Sequence, residues 1–448
     1  MIEPNWLKKR AADVRRMDTI ERRYYEKYNV KRGLRNSDGS GVLVGLTTIG
    51  NVHGYVISEG EKTAIPGKLY YRGIDVEDLV RTCEEEKRFG FEECAYLLLF
   101  GNLPTATELD EWQQLLAEHR RLPDGFKENG IIRAPGKDIM NSIARAVLTA
   151  YTYDTTPDLL DIDTNLRQAV ELVAQFPTIA AYAYQAKAHY HLGQSLMIRY
   201  PDPLKSTAEN FLALIREDGR YTALEAETLD LAFILHAEHG GGNNSSFTTH
   251  VVTSSYTDMY SAIAASVLSL KGARHGGANL RVMRQMQEVK RTVANWTDND
   301  EIAAYLEKVA RKEAGDGTGL IYGLGHAVYT ISDPRAVLLK KKAMELAEAK
   351  GRTDELNLYM QVEERGTEII KRLHPSAENI CANVDLYSGF VYDMLGIPKD
   401  LYTPIFAISR VVGWCAHRME ELVNAGPIIR PAYKPIFKPR AYVNIDER

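Results

Sequence analysis

The residues of this chain able to do chemistry fall in a few short stretches. In Gly323-Leu324-Gly325-His326-Ala327-Val328-Tyr329-Thr330-Ile331-Ser332-Asp333-Pro334-Arg335, one imidazole and one guanidinium stand nine residues apart, behind two glycines. Gly323 and Gly325 permit close backbone approach and unusual φ. Pro334 fixes its own φ and pushes Asp333 out of the helical region. The stretch therefore reads as a structured loop running into a helix from about Ala336. A histidine and an arginine converging from such a loop can grip a small carbonyl compound that bears a carboxylate. A capped loop with a satisfied histidine and a surface arginine is the alternative.

Arg410 gives the argument that depends least on motifs. Ile405, Phe406, Ile408, Val411, Val412, Trp414, Cys415 and Met419 cover almost every side of a predicted helix over 403–423, so that helix is buried. A guanidinium in its middle is very costly without a partner. It needs a carboxylate, supplied either by the protein or by a ligand. Elsewhere, His236-Ala237-Glu238-His239 sets two imidazoles one helical turn apart, a spacing able to bind zinc. No third ligand lies near apart from His250, and the order is not that of a metalloprotease helix, so no metal is expected. Gly240-Gly241-Gly242-Asn243 follows as a turn where a ligand can approach backbone.

Two further stretches, Lys271-Gly272-Ala273-Arg274-His275-Gly276-Gly277-Ala278-Asn279 and Asn383-Val384-Asp385-Leu386-Tyr387-Ser388-Gly389, add His275 and Asp385. On these three motifs, in this order, the chain from about Gly41 to Arg430 resembles the citrate synthase family, which includes 2-methylcitrate synthases. The resemblance implies an all-α, citrate synthase-like fold with a minor β-hairpin near the N-terminus. Residues 1–276 would form a large domain, 277–388 a smaller mobile helical domain, and 389–448 a return to the large domain with a C-terminal arm. It implies an acyltransferase that condenses acetyl-CoA with oxaloacetate and water to citrate and CoA, with the acyl group becoming alkyl on transfer. Asp385 would take a methyl proton, His275 would hydrogen-bond the enolate oxygen, and His326 would polarise the keto carbonyl. For Asp385, a helix N-cap is the structural alternative.

The same resemblance implies that His239, Arg335, Arg410 and Arg430 hold oxaloacetate, whose two carboxylates and one carbonyl match this set of groups. Arg430, in Ala425-Gly426-Pro427-Ile428-Ile429-Arg430-Pro431, would reach the neighbouring subunit's site, so a homodimer with shared active sites is expected. Coenzyme A, a substrate rather than a cofactor, would lie along Gly315-Asp316-Gly317-Thr318-Gly319 and the Gly323 loop, against Gly317, Gly319, Gly323 and Gly325. Leu324 and Thr330 depart from common family patterns, which passes the phosphate grip to Arg274, Arg281 or Arg284. No cofactor is expected. Propionyl-CoA, giving 2-methylcitrate, is a rival substrate, since one methylene is worth only about 1–3 kcal/mol. A non-catalytic acyl-CoA-binding protein on this scaffold is a second rival, against which His275, His326 and Asp385 argue. An all-α metallohydrolase using His236 and His239 is a third.

Composition agrees with a soluble globular protein: 448 residues, 45% hydrophobic and 26% charged. The net charge of −5 gives no reason to expect nucleic-acid binding. No run of 18 apolar residues suggests a membrane helix. Cys83, Cys94, Cys381 and Cys415 sit in apolar patterns without metal spacing, and read as reduced core thiols of a cytoplasmic protein. The first 36 residues carry a local charge of +6, so the rest carries −11. Their interleaved acids disfavour a transit peptide and favour a solvated helix over 6–28.

The elements that must position the site are mostly helical. Val42-Leu43-Val44, Tyr55-Val56-Ile57 and Leu69-Tyr70-Tyr71 are short β-type runs with room for a hairpin or two. Helices are expected from Asp75, over 91–100, 107–120, 138–151, 164–174, 178–191, 207–215 and 222–236, with breaks at Pro123, Pro157, Pro177, Pro201 and Pro203. The small residues of 259–270 imply close helix packing. Propensity makes 248–255 a strand, whereas the resemblance makes it helical, and the helix is the expectation taken. Residues 287–306 and 335–365 are rich in Lys, Arg and Glu, as helices with one wet face.

Overall fold

The computed structural model describes residues 4–36, 40–58, 61–375 and 379–447. The chain divides into a short unit, Met1–Leu46, and a body, Thr47–Arg448. In the short unit, 6–28 forms two helices rather than the single one expected: α1 (Pro4–Met17) and α2 (Arg22–Lys27). The break falls where the Thr19 hydroxyl donates back to the Arg15 carbonyl and Glu21 turns extended. Such local side-chain bonds compete with helix continuation. Val42-Leu43-Val44, mostly exposed, forms no strand.

The body opens with β1 (Gly50–Ser58) and β2 (Glu61–Tyr71), an antiparallel pair with an irregularity between His53 and Tyr55, and a two-residue β3 (Ile74–Asp75) beside β2. This sheet braces a loop. The Gly67 amide donates to the Ser332 carbonyl at 3.1 Å, and Tyr329 Oη donates to the Lys68 carbonyl at 3.2 Å. A Cβ on Gly67 would stand 2.1 Å from the Ser332 oxygen, and one on Gly54 would stand 2.7 Å from the Val328 oxygen. Both glycines let the hairpin lie against the segment that carries His326 and Arg335.

Helices then follow: α3 (Val76–Glu86), capped by Asp75, α4 (Phe91–Phe100), α5 (Ala106–His119), α6 (Ile139–Ala150), α7 (Ile162–Leu192), α8 (Thr207–Ile215), α9 (Ala223–His236), α10 (Asn244–Thr253) and α11 (Met259–Lys271). After them come α12 (Ala278–Thr292), α13 (Asn299–Ala310), α14 (Pro334–Ala349), α15 (Thr353–Leu373), α16 (Asp385–Met394) and α17 (Tyr402–Asn424). The molecule is all-α apart from the small sheet.

Three local outcomes show what packing decides. The expected break at Pro177 is absent, because α7 runs straight through it. A buried proline costs a helix about 3 kcal/mol. The neighbouring Val173, Phe176, Ile179 and Tyr182 are all buried, at about 1.5–3 kcal/mol for each such side chain, which outweighs it. The β-branched stretch 248–255 falls largely in α10, as the resemblance implied. Thr248 and Thr249 donate their hydroxyls to the carbonyls of Asn244 and Ser245, and Thr249 also meets Ser266 of α11 at 2.7 Å. The helix expected from Ala336 starts two residues earlier, with Pro334 in its first turn and Asp333 Oδ1 accepting the Arg335 amide at 3.0 Å.

Within 277–388, the charged helices keep one apolar side. α12 buries Val282, Met283, Met286 and Val289, and α13 packs on α15 through Ile302, Leu306 and Val309. α17 lies at the centre of the body. It packs against α4, α7, α9, α10 and α11, and every residue from Pro404 to Arg418 is buried.

Candidate active site

Five places in the chain meet at one cavity of about 150 Å³. His239 and Asn243 enter from the turn after α9, and Leu270, His275 and Gly276 from the end of α11. His326 and Arg335 enter from the braced loop, Asn383, Val384 and Asp385 from the start of α16, and Phe406 and Arg410 from α17. The volume is well below the roughly 300–1,000 Å³ of a drug-sized site, so the cavity suits a small molecule rather than a whole coenzyme.

Arg410 meets the condition set by its sequence context. Nε donates to the His236 carbonyl at 2.5 Å, and no carboxylate forms an ion pair with it among the described residues. Burial pushes the guanidinium below its ordinary range, and the more distant charge of Glu238 opposes this. Arg335 differs. Asp333 grips it with Oδ1 on Nε at 3.0 Å and Oδ2 on Nη2 at 2.7 Å, both side chains buried. The Asp333 carboxylate therefore neutralises Arg335 and fixes the plane of its guanidinium.

The imidazoles are held in defined states. His326 Nδ1 accepts two backbone amides, from Val328 at 3.1 Å and Tyr329 at 3.0 Å. A neutral His326 must then carry its proton on Nε2. His275 is pushed down to about 4 by burial and by Arg410, so it is neutral at pH 7. Its Nε2 lies 3.1 Å from Ser245 Oγ, which accepts from Trp414 Nε1 at 3.1 Å and lies 2.9 Å from Asn243 Oδ1. His239 is pushed far below its ordinary range by burial, Arg335 and Arg410, and its buried Nε2 has no hydrogen-bond partner among the described residues.

Asp385 is the first residue of α16, not its cap. Asn383 Oδ1 accepts the Asp385 amide at 3.0 Å, and Asn383 Nδ2 donates to the Gly325 carbonyl at 2.8 Å. Gly325 also donates to Cys381, and Asn383 to Gly323, so two short crossings tie the His326 loop to the Asp385 turn. No protein group hydrogen-bonds the Asp385 carboxylate among the described residues. Burial raises this carboxyl to about 6, with Arg335 pulling it down and Asp333 pushing it up.

Of the expected site residues, His239, His275, His326, Arg335, Asp385 and Arg410 share this cavity. Arg430 does not; it is exposed on the segment after α17, with the preceding Ile429 amide held by Ser254 Oγ at 3.1 Å. Arg274 and Arg284 are exposed outside the cavity, while Arg281 lies over the Tyr322 ring at 5.5 Å. Gly317, Gly319, Gly323 and Gly325 all have positive φ. The two imidazoles of the His236-Ala237-Glu238-His239 turn diverge. His236 stacks on Phe406 at 3.6 Å and meets Tyr392 Oη at 2.7 Å, away from His239. Reading the sequence missed Ser245, Asn383 and Trp414 as positioning residues. Asn383 was visible only as a polar residue two before an acid, and no local signal marks the other two.

A closed helical pocket with two guanidinia, neutral imidazoles and one raised carboxyl belongs to an enzyme that holds a small anion and moves a proton. Comparison with known proteins gives this class a family. Residues 38–432 match the model of the citrate synthase C-terminal domain. The chain is 35% identical to the citrate synthase of Haloferax volcanii over 387 residues, covering 85% of this chain and 93% of that one. It is 32% identical to the 2-methylcitrate synthase of Shewanella oneidensis, covering 85% and 92%. Among solved structures, it resembles citrate synthase of Thermoplasma acidophilum in ternary complex with carboxymethyl coenzyme A and oxaloacetate, with a TM-score of 0.75, 28% identity and coverage of 94% and 99%. The chain belongs to the citrate synthase family, and it is an enzyme of the condensing, transferase type. No helix among the described residues is long and apolar enough to cross a membrane.

Proposed function

We propose that this enzyme is an acyltransferase that condenses acetyl-CoA with oxaloacetate and water, giving citrate and free CoA. The observation that carries this reading is the buried Arg410, which pairs with no carboxylate among the described residues and faces a small cavity together with His239, His326 and Asp385. One oxaloacetate carboxylate fills that vacancy in charge. Arg335 and the unpartnered Nε2 of His239 take the other polar atoms of the keto acid. His326, with its proton on Nε2, donates to the keto carbonyl and makes its carbon electrophilic. Asp385 removes a methyl proton from the thioester; at a carboxyl raised to about 6 the base is still ionised at neutral pH. His275 stays neutral and hydrogen-bonds the enolate oxygen. Trp414 donates to Ser245 Oγ, whose hydroxyl donates to Asn243 Oδ1; turning that hydroxyl to His275 Nε2 would leave the imidazole proton on Nδ1 for that bond. The enolate carbon attacks the keto carbon, and water then cleaves the thioester to release CoA.

The acyl chain is the open choice, because the 2-methylcitrate reaction needs the same groups. Purified protein with oxaloacetate should release free thiol faster from acetyl-CoA than from propionyl-CoA. The reverse order makes it a 2-methylcitrate synthase, and release from neither removes the synthase reading.

Closure of 277–388 over the rest is part of this proposal. That segment supplies His326, Arg335 and Asp385, whereas His239, His275 and Arg410 come from the flanking parts. Oxaloacetate would bind first and draw the two sides together, completing the CoA site near Gly317, Gly319 and the Gly323 loop. X-ray scattering should give a smaller radius of gyration with oxaloacetate, and acetyl-CoA should then bind more tightly. Equal acetyl-CoA affinity with and without oxaloacetate contradicts closure.

A homodimer with shared sites is also proposed, in the cytoplasm, where the four unpaired and buried cysteines would stay reduced. The segment after α17 leaves Arg430, Tyr433 and Phe437 exposed on a single chain, and α6, α10 and α11 show Leu148, Val251 and Leu268 to solvent. These features fit a partner subunit that receives Arg430 in its active site. Arg430→Ala and Asp385→Asn subunits, refolded together, should regain activity that neither has alone. No recovery in proven hybrids would restrict Arg430 to its own subunit or to no role in the site.

A further inference from the structure

A second cluster of chemically capable side chains lies outside the lining of the pocket, and the proposed reaction does not use it. His250 of α10 and His417 and Glu420 of α17 bring one imidazole nitrogen, a second imidazole nitrogen and a carboxylate oxygen within 4.8 Å of one another. We propose that His250 Nε2, His417 Nδ1 and Glu420 Oε2 bind a divalent transition-metal ion of the zinc class, tying α10 to the end of α17.

Four observations support a built site. His250 Nε2 and His417 Nδ1 are 3.1 Å apart, and His417 Nδ1 is 3.8 Å from Glu420 Oε2. Donors around a tetrahedral zinc at about 2.0–2.2 Å stand roughly 3.3–3.5 Å from each other, and the two distances bracket that value. Each imidazole is backed by its own carboxylate on the opposite nitrogen: Glu421 Oε2 on His250 Nδ1 at 2.8 Å and Glu238 Oε1 on His417 Nε2 at 3.0 Å. Carboxylate behind imidazole is the usual outer support of a metal-ligating histidine, fixing its tautomer and raising its basicity. Glu420 divides its oxygens. Oε1 accepts the Thr48 amide at 2.6 Å and hydroxyl at 2.9 Å, while Oε2, on a side chain 9% exposed, is buried with no hydrogen-bond partner. Finally, Gly241 covers the imidazole pair, and a Cβ there would sit 3.4 Å from His417 Cε1 and 3.6 Å from His250 Nε2.

A closed hydrogen-bonded chain, Glu421 to His250 to His417 to Glu238, is the competing account of the two histidines. It leaves Glu420 Oε2 buried without a hydrogen bond, with only a 3.8 Å contact to His417 Nδ1. A metal uses that oxygen. It displaces the proton shared between the imidazoles, and the two nitrogens become ligands. The set of two nitrogens and one carboxylate oxygen suits zinc, cobalt, nickel or copper rather than calcium or magnesium.

The test uses the full chain after chelation and dialysis. Zinc ion, titrated against a chromophoric chelator, should bind at one ion per chain and raise the melting temperature. Cobalt ion should give the visible absorption of a four-coordinate site. His250→Gln should abolish that absorption, and Glu421→Gln, which removes only the outer support, should weaken zinc affinity about 10- to 100-fold. His239→Asn, in the pocket, should leave the metal in place. X-ray absorption of the zinc-loaded wild-type chain should show two imidazoles and an oxygen ligand, a readout independent of how any variant folds. No stoichiometric zinc binding by the wild type, or a metal shell without two imidazoles, overturns the proposal.

Discussion

Asp385→Asn lowers kcat about 100- to 10,000-fold while oxaloacetate binding stays near normal. The replacement keeps the shape of the side chain but cannot accept a proton. It leaves in place Arg410, Arg335 and His239, the groups proposed to hold oxaloacetate. The fold is also spared, since Asn383 and not Asp385 takes the backbone amide at the start of α16, and no group among the described residues bonds the lost carboxylate. The pH dependence carries the same signature. A base must be ionised, and burial raises the Asp385 carboxyl to about 6, so kcat/KM of the wild type should fall as pH drops through about 6. The residual activity of Asp385→Asn should lack that limb. His275, pushed down to about 4, does not add a second limb near neutrality. Near-wild-type turnover of the variant would remove Asp385 as the base, and joint loss of turnover and oxaloacetate binding would make its role structural.

Arg410→Met separates binding from stability, and the two should move in opposite directions. A buried charge whose partner is removed typically costs 2–5 kcal/mol, so oxaloacetate affinity should weaken about 30- to 4,000-fold. The ligand-free protein should not suffer in the same way. Arg410 pairs with no carboxylate among the described residues, and burial already disfavours its charged form. Replacing an unpaired buried cation by an apolar side chain of similar length is often neutral or stabilising. Calorimetric titration and thermal unfolding on one preparation read both effects. An Arg410→Met protein that melts much lower while binding oxaloacetate normally would make the arginine a structural group.

Arg410 also marks what physics alone made legible. An apolar helix with one guanidinium in its middle required an anion from somewhere, and that requirement came from the sequence of α17 without any motif. His275 and Asp385 were different. Nothing local distinguishes His275 from a satisfied histidine or Asp385 from a cap, and both were found through a resemblance of ordered motifs. The helix running through Pro177 was illegible because the burial that outweighs the proline comes from elements distant in sequence. Gly54 and Gly67 carry no local signal of their use, which is the approach of Val328 and Ser332, more than 260 residues later. Likewise the pairing of His250 with His417 depends on α10 lying against α17, so the sequence offered His250 only as a remote third ligand for His236 and His239. Side chains that act within their own helix or loop could be read; those that act through a crossing between distant elements could not.

The most direct test of the central claim follows the acyl methyl group. Acetyl-CoA labelled with carbon-13 in its methyl carbon, incubated with oxaloacetate and the purified enzyme, should yield citrate with the label in a methylene carbon, with one free thiol for each citrate. Label left in a methyl group, as acetate beside free CoA or as unreacted thioester, would contradict condensation at this site.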